Sequence, residues 1–377
     1  VRAILKWIGT PLLFLAVLLC FAPTLVPPFL DRIYYRGPAS DHFDGERFFN
    51  PGAAEPRRVD PGRYLNRWLS GERAAWPDSV PVRPTMPPTR VDGAEMRVTW
   101  IGHATVLVQT GGINILTDPI WSERASPFSF VGPRRVRAPG IRFEDLPRID
   151  LVLVSHNHYD HLDLPTLSRL WERDRPLIVT SLGNDAILRW EGIGSVARDW
   201  GGRVSVRPAR RLADGALEGA VEVIVERSHH WGSRWGSDRN RALWSAFTVT
   251  TPAGNIFFAG DTGWGGGAWV KEAARHGPFR LAILPIGAYE PRDVMRGSHV
   301  NPQEAMRVFA GLDPVRALGV HWGTFQLTFE PIDAPRAAIA ALARRQGLAP
   351  DRFIATEAGQ GFSVPPLPPP PLPPPAR

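Results

Sequence analysis

The string Ser155-His156-Asn157-His158-Tyr159-Asp160-His161 constrains this chain more than any other part of it. It follows an apolar run, Leu151-Val152-Leu153-Val154, and precedes a segment suited to a helix, with Asp163 as its cap and Pro165 in its first turn. Three imidazoles and a carboxylate therefore share one short loop at the end of a strand. With ten histidines among 377 residues, chance rarely assembles such a set. Neutral imidazole and carboxylate oxygen suit zinc, iron or manganese. The single cysteine, Cys20, lies in a remote apolar stretch, so a metal must be held through nitrogen and oxygen.

Two metals need more ligands than one loop supplies, and other strand ends offer them. Val221–Val225 runs into Ser228-His229-His230-Trp231, Ile256–Ala259 into Gly260-Asp261-Thr262-Gly263, and Ala317–Val320 into His321-Trp322-Gly323. Loops carried by a rigid scaffold can bring such residues to one point. A carboxylate can bridge two cations about 3.5–4 Å apart, and water bound to such ions ionises near neutral pH.

The middle of the chain alternates short apolar runs with polar loops and helical segments. The pattern predicts strands at Arg97–Ile101, Thr105–Gln109, Ile113–Thr117, Leu151–Ser155, Leu177–Thr180, Val221–Val225, Ala246–Thr250, Ile256–Ala259, Leu281–Leu284, Ala317–Val320 and Phe353–Ala355. It predicts helices at Pro165–Arg173, Ala268–Arg275, Pro302–Ala310 and Asp333–Arg345. Strands this apolar, with helices interspersed, imply an α/β (α+β) protein in which two sheets pack face to face between helices, an αββα sandwich.

The order of these motifs resembles the metallo-β-lactamase superfamily. Trp100-Ile101-Gly102-His103-Ala104-Thr105, Thr117-Asp118-Pro119, Ser155–Asp163, Phe258–Gly263, Leu284–Arg292 and His321-Trp322-Gly323-Thr324-Phe325 resemble its N-acyl-phosphatidylethanolamine-hydrolysing phospholipase D group, over residues 96 to 360. The resemblance implies a dinuclear zinc centre. One zinc is held by His156, His158 and His230, the other by Asp160, His161 and His321, with Asp261 bridging; His230 is preferred to His229 because it immediately precedes Trp231. It also implies a phosphodiesterase that hydrolyses N-acyl-phosphatidylethanolamine to N-acylethanolamine and phosphatidic acid. Another ester, lactone or phosphodiester is the alternative substrate. Asp160 and Asp261 serve catalysis as well as binding, and His299 is the candidate donor to the leaving group. His103 and Asp118 are expected to orient ligands. Tyr159 either contacts substrate or bonds locally, and His42 and His276 read as surface residues. The group's pattern is departed from at Leu164 and in the arginine-rich stretch Ser233–Arg241, which bear on head-group contacts.

The ends are less regular. No charge interrupts Trp7 to Leu30, behind Arg2 and Lys6, which favours an uncleaved N-terminal membrane anchor over a cleaved signal or a covered soluble segment. The expectation is a bacterial-type membrane-associated protein with the exported side slightly favoured. Residues 31–90, rich in proline and arginine, form an extension lying on the domain, with one helix at Pro61–Ala75. The catalytic domain spans 91–363, and a proline-rich tail occupies 364–377. A net charge of +7 is carried almost wholly by scattered arginines, which argues against a nucleic-acid surface. The expected partners are a phospholipid substrate and the membrane, and a second copy of the chain is admissible. Aromatic residues near the motifs, among them Trp121, Phe128, Phe130, Trp231, Trp235, Trp264, Tyr289, Trp322 and Phe325, suit either core packing or an apolar cleft.

Overall fold

A computed structural model describes residues 10–17, 32–52, 62, 66–67, 69–206 and 220–369. Two seven-stranded sheets form the centre. In the first, Gly361–Ser363 (β14), Met96–Gly102 (β1), Thr105–Thr110 (β2), Ile113–Thr117 (β3), Leu151–Val154 (β4), Leu177–Ser181 (β5) and Val196–Arg198 (β6) lie side by side in that order. In the second the order is Phe353–Ile354 (β13), Arg316–Val320 (β12), Phe279–Pro285 (β11), Asn255–Phe258 (β10), Ala246–Thr250 (β9), Val221–Glu226 (β8) and Arg203–Val206 (β7). Both sheets are mixed. β3 to β6 run parallel, as do β10 to β13, and the remaining neighbours are antiparallel.

Period-two alternation explains why the first sheet is buried on both sides. Val98 and Trp100 of β1, Val106 and Val108 of β2, and Leu151 and Leu153 of β4 point into the core shared with the second sheet. Their neighbours Ile101, Leu107, Val152 and Val154 point the other way, onto Leu167 and Leu170 of the helix Leu164–Asp174 and Ile187 and Leu188 of the helix Asn184–Trp190. Helices Ala268–Ala274, Pro302–Leu312 and Ala334–Arg345 pack with the second sheet. The helix Pro302–Leu312 starts in a capping box, with Asn301 accepting from Glu304 N and Glu304 accepting from Asn301 N. The predicted strands and the sandwich they imply are present. β6, β7, β14 and the helices Asn184–Trp190 and Arg292–Met295 were not predicted.

Several expectations need correction. Among the described residues no helix is long and apolar enough to cross a membrane, which overturns the N-terminal anchor. The described helical part of that stretch covers residues 10–17, a rise of about 12 Å against a hydrocarbon core of about 30 Å. The rest of segment 1–30 lies outside the described residues. Of the expected Pro61–Ala75 helix, residues 62, 66, 67 and 69 are helical, and the chain has left the helix by Glu72; the others up to residue 68 lie outside the description. So do residues 370–377 of the tail. Asp163 stands at the N-cap of its helix, but its side chain bonds no helix N–H; its carboxylate accepts from Trp121 N, Ser122 N, Ser122 Oγ and Thr166 Oγ1 instead. His42 is buried, stacked on Trp200 at 4.5 Å with its nitrogens on Asp41 and Asp199, and half-buried His276 meets Glu226 at 2.6 Å.

Candidate metal centre

Loops at one end of the two sheets bring the predicted residues together. β4 ends at Val154, directly before the His156–His161 loop; β8 leads to His230, β10 to Asp261 and β12 to His321. Three of the non-glycine residues with positive φ lie here: His103 (51°), Asp118 (31°) and His321 (62°). Such backbone is costly for L-residues and concentrates where surroundings over-determine it.

Two ligand clusters result. In one, His156 Nε2 lies 2.8 Å and His230 Nε2 3.4 Å from His158 Nδ1. In the other, Nε2 of both His161 and His321 lies 3.1 Å from Asp261 Oδ2 and 3.4 Å from Asp160 Oδ2. Asp261 Oδ2 is also 3.9 Å from His230 Nε2, so this oxygen stands between the clusters. A tetrahedral ion with bonds of about 2.0 Å sets its ligand atoms about 3.3 Å apart, matching these separations.

The outer nitrogens fix which lone pairs face inward. His156 Nδ1 donates to Ser155 Oγ (2.9 Å), whose hydroxyl donates to Asp118 Oδ2 (2.6 Å). His161 Nδ1 donates to Asp118 Oδ2 at 2.6 Å, and His230 Nδ1 to the Ser298 carbonyl at 2.8 Å. Each of these three rings therefore turns its Nε2 toward the cluster, as metal ligation requires. His161 Nε2 and His321 Nε2 are buried with no hydrogen-bond partner of acceptable geometry. Buried polar atoms left this way ordinarily cost stability, and a cation removes that cost. The residues fit a bound metal cation.

Electrostatics divides the clusters. Burial pushes His158 down to about 4 and holds His156 and His230 well below the ordinary imidazole range. Burial acts the same way on His161 and His321, yet there the Asp261 and Asp160 carboxylates win, raising His161 and pushing His321 up to about 9. A field that holds protons on buried imidazoles also attracts a cation.

His299 lies 3.9 Å from Asp261 Oδ2, and burial pushes it down to about 4. His103 Nε2 donates to Asp160 Oδ2 at 2.8 Å. His229 stands outside both clusters, its backbone N–H on Thr262 Oγ1. A cavity of about 250 Å³ opens on the centre, lined by His158, Tyr159, Asp160, Trp231, Asp261 and His299 among others. The sequence left the aromatic residues near the motifs as either core packing or the lining of an apolar cleft. Of those aromatics Trp231 reaches the cavity, Trp322 and Phe325 are buried, and Phe128 and Phe130 are exposed. Ser155 and the Ser298 carbonyl were missed. Ser155 sits inside the quoted motif, whereas a main-chain acceptor leaves no mark in sequence.

A family profile described as "Beta-lactamase superfamily domain" matches residues 113–322. The chain is 36% identical over 266 residues to N-acyl-phosphatidylethanolamine-hydrolyzing phospholipase D 1 of Caenorhabditis elegans, covering 70% of this chain and 74% of that one. It is 32% identical over 265 residues to the mitochondrial N-acyl-phosphatidylethanolamine-hydrolyzing phospholipase D of Saccharomyces cerevisiae, covering 70% of this chain and 54% of that one. Among solved structures, a metallo hydrolase from Ignicoccus hospitalis superposes with a TM-score of 0.51 at 19% identity, covering 72% of this chain and 98% of that one, a likeness of fold.

Proposed function

We propose, from the premise that the chain belongs to the metallo-β-lactamase superfamily and within it to the N-acyl-phosphatidylethanolamine-hydrolysing phospholipase D group, that this metal-dependent hydrolase is a two-zinc phosphodiesterase. Its substrate is an N-acyl-phosphatidylethanolamine-type phospholipid, cleaved to N-acylethanolamine and phosphatidic acid. The observation that carries the reading is Asp261 Oδ2, set between a three-histidine cluster and an Asp-His-His cluster beside a cavity that Asp261 lines. His156, His158 and His230 would hold one zinc, Asp160, His161 and His321 the other, and Asp261 both. Bound divalent ions supply Lewis acidity at phosphoryl oxygens and lower the pKa of water.

The chain's own groups supply the rest. Asp261 Oδ1, buried without a partner, accepts a hydrogen bond from the attacking water. The water oxygen bonds to phosphorus, the bond from phosphorus to the ethanolamine oxygen breaks, and one proton given up by the water ends on that oxygen while the other leaves with the phosphate or solvent. His299, which lines the cavity, donates a hydrogen bond to the departing oxygen. His103 holds the Asp160 carboxylate in place. Zinc-loaded protein is expected to release phosphatidic acid from N-acyl-phosphatidylethanolamine in detergent micelles, and a chelator to stop it. No turnover of that lipid alongside turnover of a simple lactone would sink the reading.

A further inference from the structure

The arginine-rich stretch after Trp231 is not absorbed by the ligand set, and one of its residues reaches the metal loop. Arg234 Nη1 donates to the carbonyls of Asn157 (3.1 Å) and Leu162 (2.9 Å). These are the two ends of the segment that carries His158, Asp160 and His161. Asn157 and Leu162 are fully buried, so their carbonyls have no recourse to water. The guanidinium carbon also lies 3.9 Å from the ring centroid of Tyr159, in the middle of that segment. Arg234 thus touches the loop at both ends and at its centre.

The stretch is itself held firmly. Asp238, fully buried, accepts from Ser233 Oγ at 2.6 Å, from Arg234 N at 3.0 Å, from Trp235 N at 2.9 Å and from Tyr34 Oη at 2.7 Å. Asn50 Nδ2 donates to the His230 carbonyl at 2.8 Å, tying the N-terminal arm to a candidate ligand. A cation placed this way, with both hydrogens of Nη1 on main-chain carbonyls, acts on the geometry of the loop.

We propose that Arg234 is a positioning residue of the metal centre: by bonding the carbonyls of Asn157 and Leu162 with one nitrogen, it fixes the span of the loop bearing His158, Asp160 and His161 and so sets cation affinity. The guanidinium suits this place because one nitrogen reaches both carbonyls while its carbon lies over the Tyr159 ring. Lysine keeps the charge and the donors but not the flat group over Tyr159. The inference rests on reading those three residues as ligands.

The test is a titration of metal-free full-length protein with zinc against a chromophoric chelator, and with Co²⁺ followed by its visible absorption. Unaltered protein is expected to take two ions. Arg234→Met is expected to bind about 10–100-fold more weakly, the range for losing a support of metal ligands, and to show a changed Co²⁺ spectrum. Arg234→Lys decides the matter if the methionine variant does not fold, with an expected loss of about tenfold. A folded variant with unchanged affinity and spectrum overturns the positioning role while leaving the ligand set standing. Failure of the unaltered protein to bind any divalent ion overturns both.

Discussion

His161 Nδ1 and Asp118 Oδ2 face each other at 2.6 Å, and solvent reaches neither side chain. The same carboxylate accepts from Ser155 N at 2.7 Å and Ser155 Oγ at 2.6 Å, so it governs the tautomer of His161 and, through Ser155, that of His156. Asp118→Asn substitutes a donor for one of these acceptors. The amide nitrogen must then confront either the Ser155 N–H or the His161 N–H, leaving a buried donor unpaired at a cost of about 1–3 kcal/mol. Cation affinity is expected to fall about 10–100-fold, read by chelator competition. Unchanged affinity would remove Asp118 from the support of the centre.

Asp261→Asn tests the shared oxygen. The amide oxygen can approach one ion as a neutral ligand, but the negative charge that two adjacent cations require is gone. Metal analysis of the purified variant is expected to find at most one ion per chain, with phosphatidic acid release abolished. Two retained ions with undiminished turnover would refute the bridging role.

The sequence exposed the centre because its residues follow strands whose periodicity is strong. Apolar runs such as Leu151–Val154 and Ala317–Val320 are buried throughout, and a ligand-type residue shortly after such a run stands out. What escaped has the opposite character. β6 and β7 carry partly exposed residues at sheet edges, where the hydrophobic signal fades. Arg234 looked like a departure affecting head groups because its partners are carbonyls, invisible in a one-letter string. His42 read as a surface residue because nothing local announced Trp200 and Asp199, about 160 positions away on a different element.

The metal-free protein is expected to be most stable near pH 6.5, the ordinary imidazole value. Burial holds His103 down to about 3 and His158 and His299 down to about 4, with His156 and His230 also depressed. Below pH 6.5 the unfolded chain takes up protons that these folded rings refuse, so stability is lost as pH falls toward 4. His161 and His321 act in the other direction, because their folded values are raised, that of His321 to about 9. Their contribution is complete below pH 6.5 and disappears as pH rises through 9. Thermal melts of chelator-treated protein between pH 4 and pH 10 should give a single maximum. A flat or monotonic profile would contradict the opposed fields of the two clusters.

Gly260 links the backbone of β10 to Asp261 and marks the last vulnerable point. Its φ is +57°, and a Cβ there would stand 2.6 Å from Ser155 Cβ and 3.0 Å from the Ser245 carbonyl oxygen. Gly260→Ala therefore adds a left-handed backbone cost of about 1–2 kcal/mol to an overpacking cost of about 1–3 kcal/mol. Because Ser155 must yield, the bonds to Asp118 and His156 shift with it, and cation affinity should fall together with the melting temperature. Gly266→Ala separates the two effects. Its φ is +81° but no atom lies within 4 Å of the added Cβ, so it should carry only the backbone cost and bind metal normally. Equal metal affinity in both variants would show that the Ser155 contact transmits nothing to the centre.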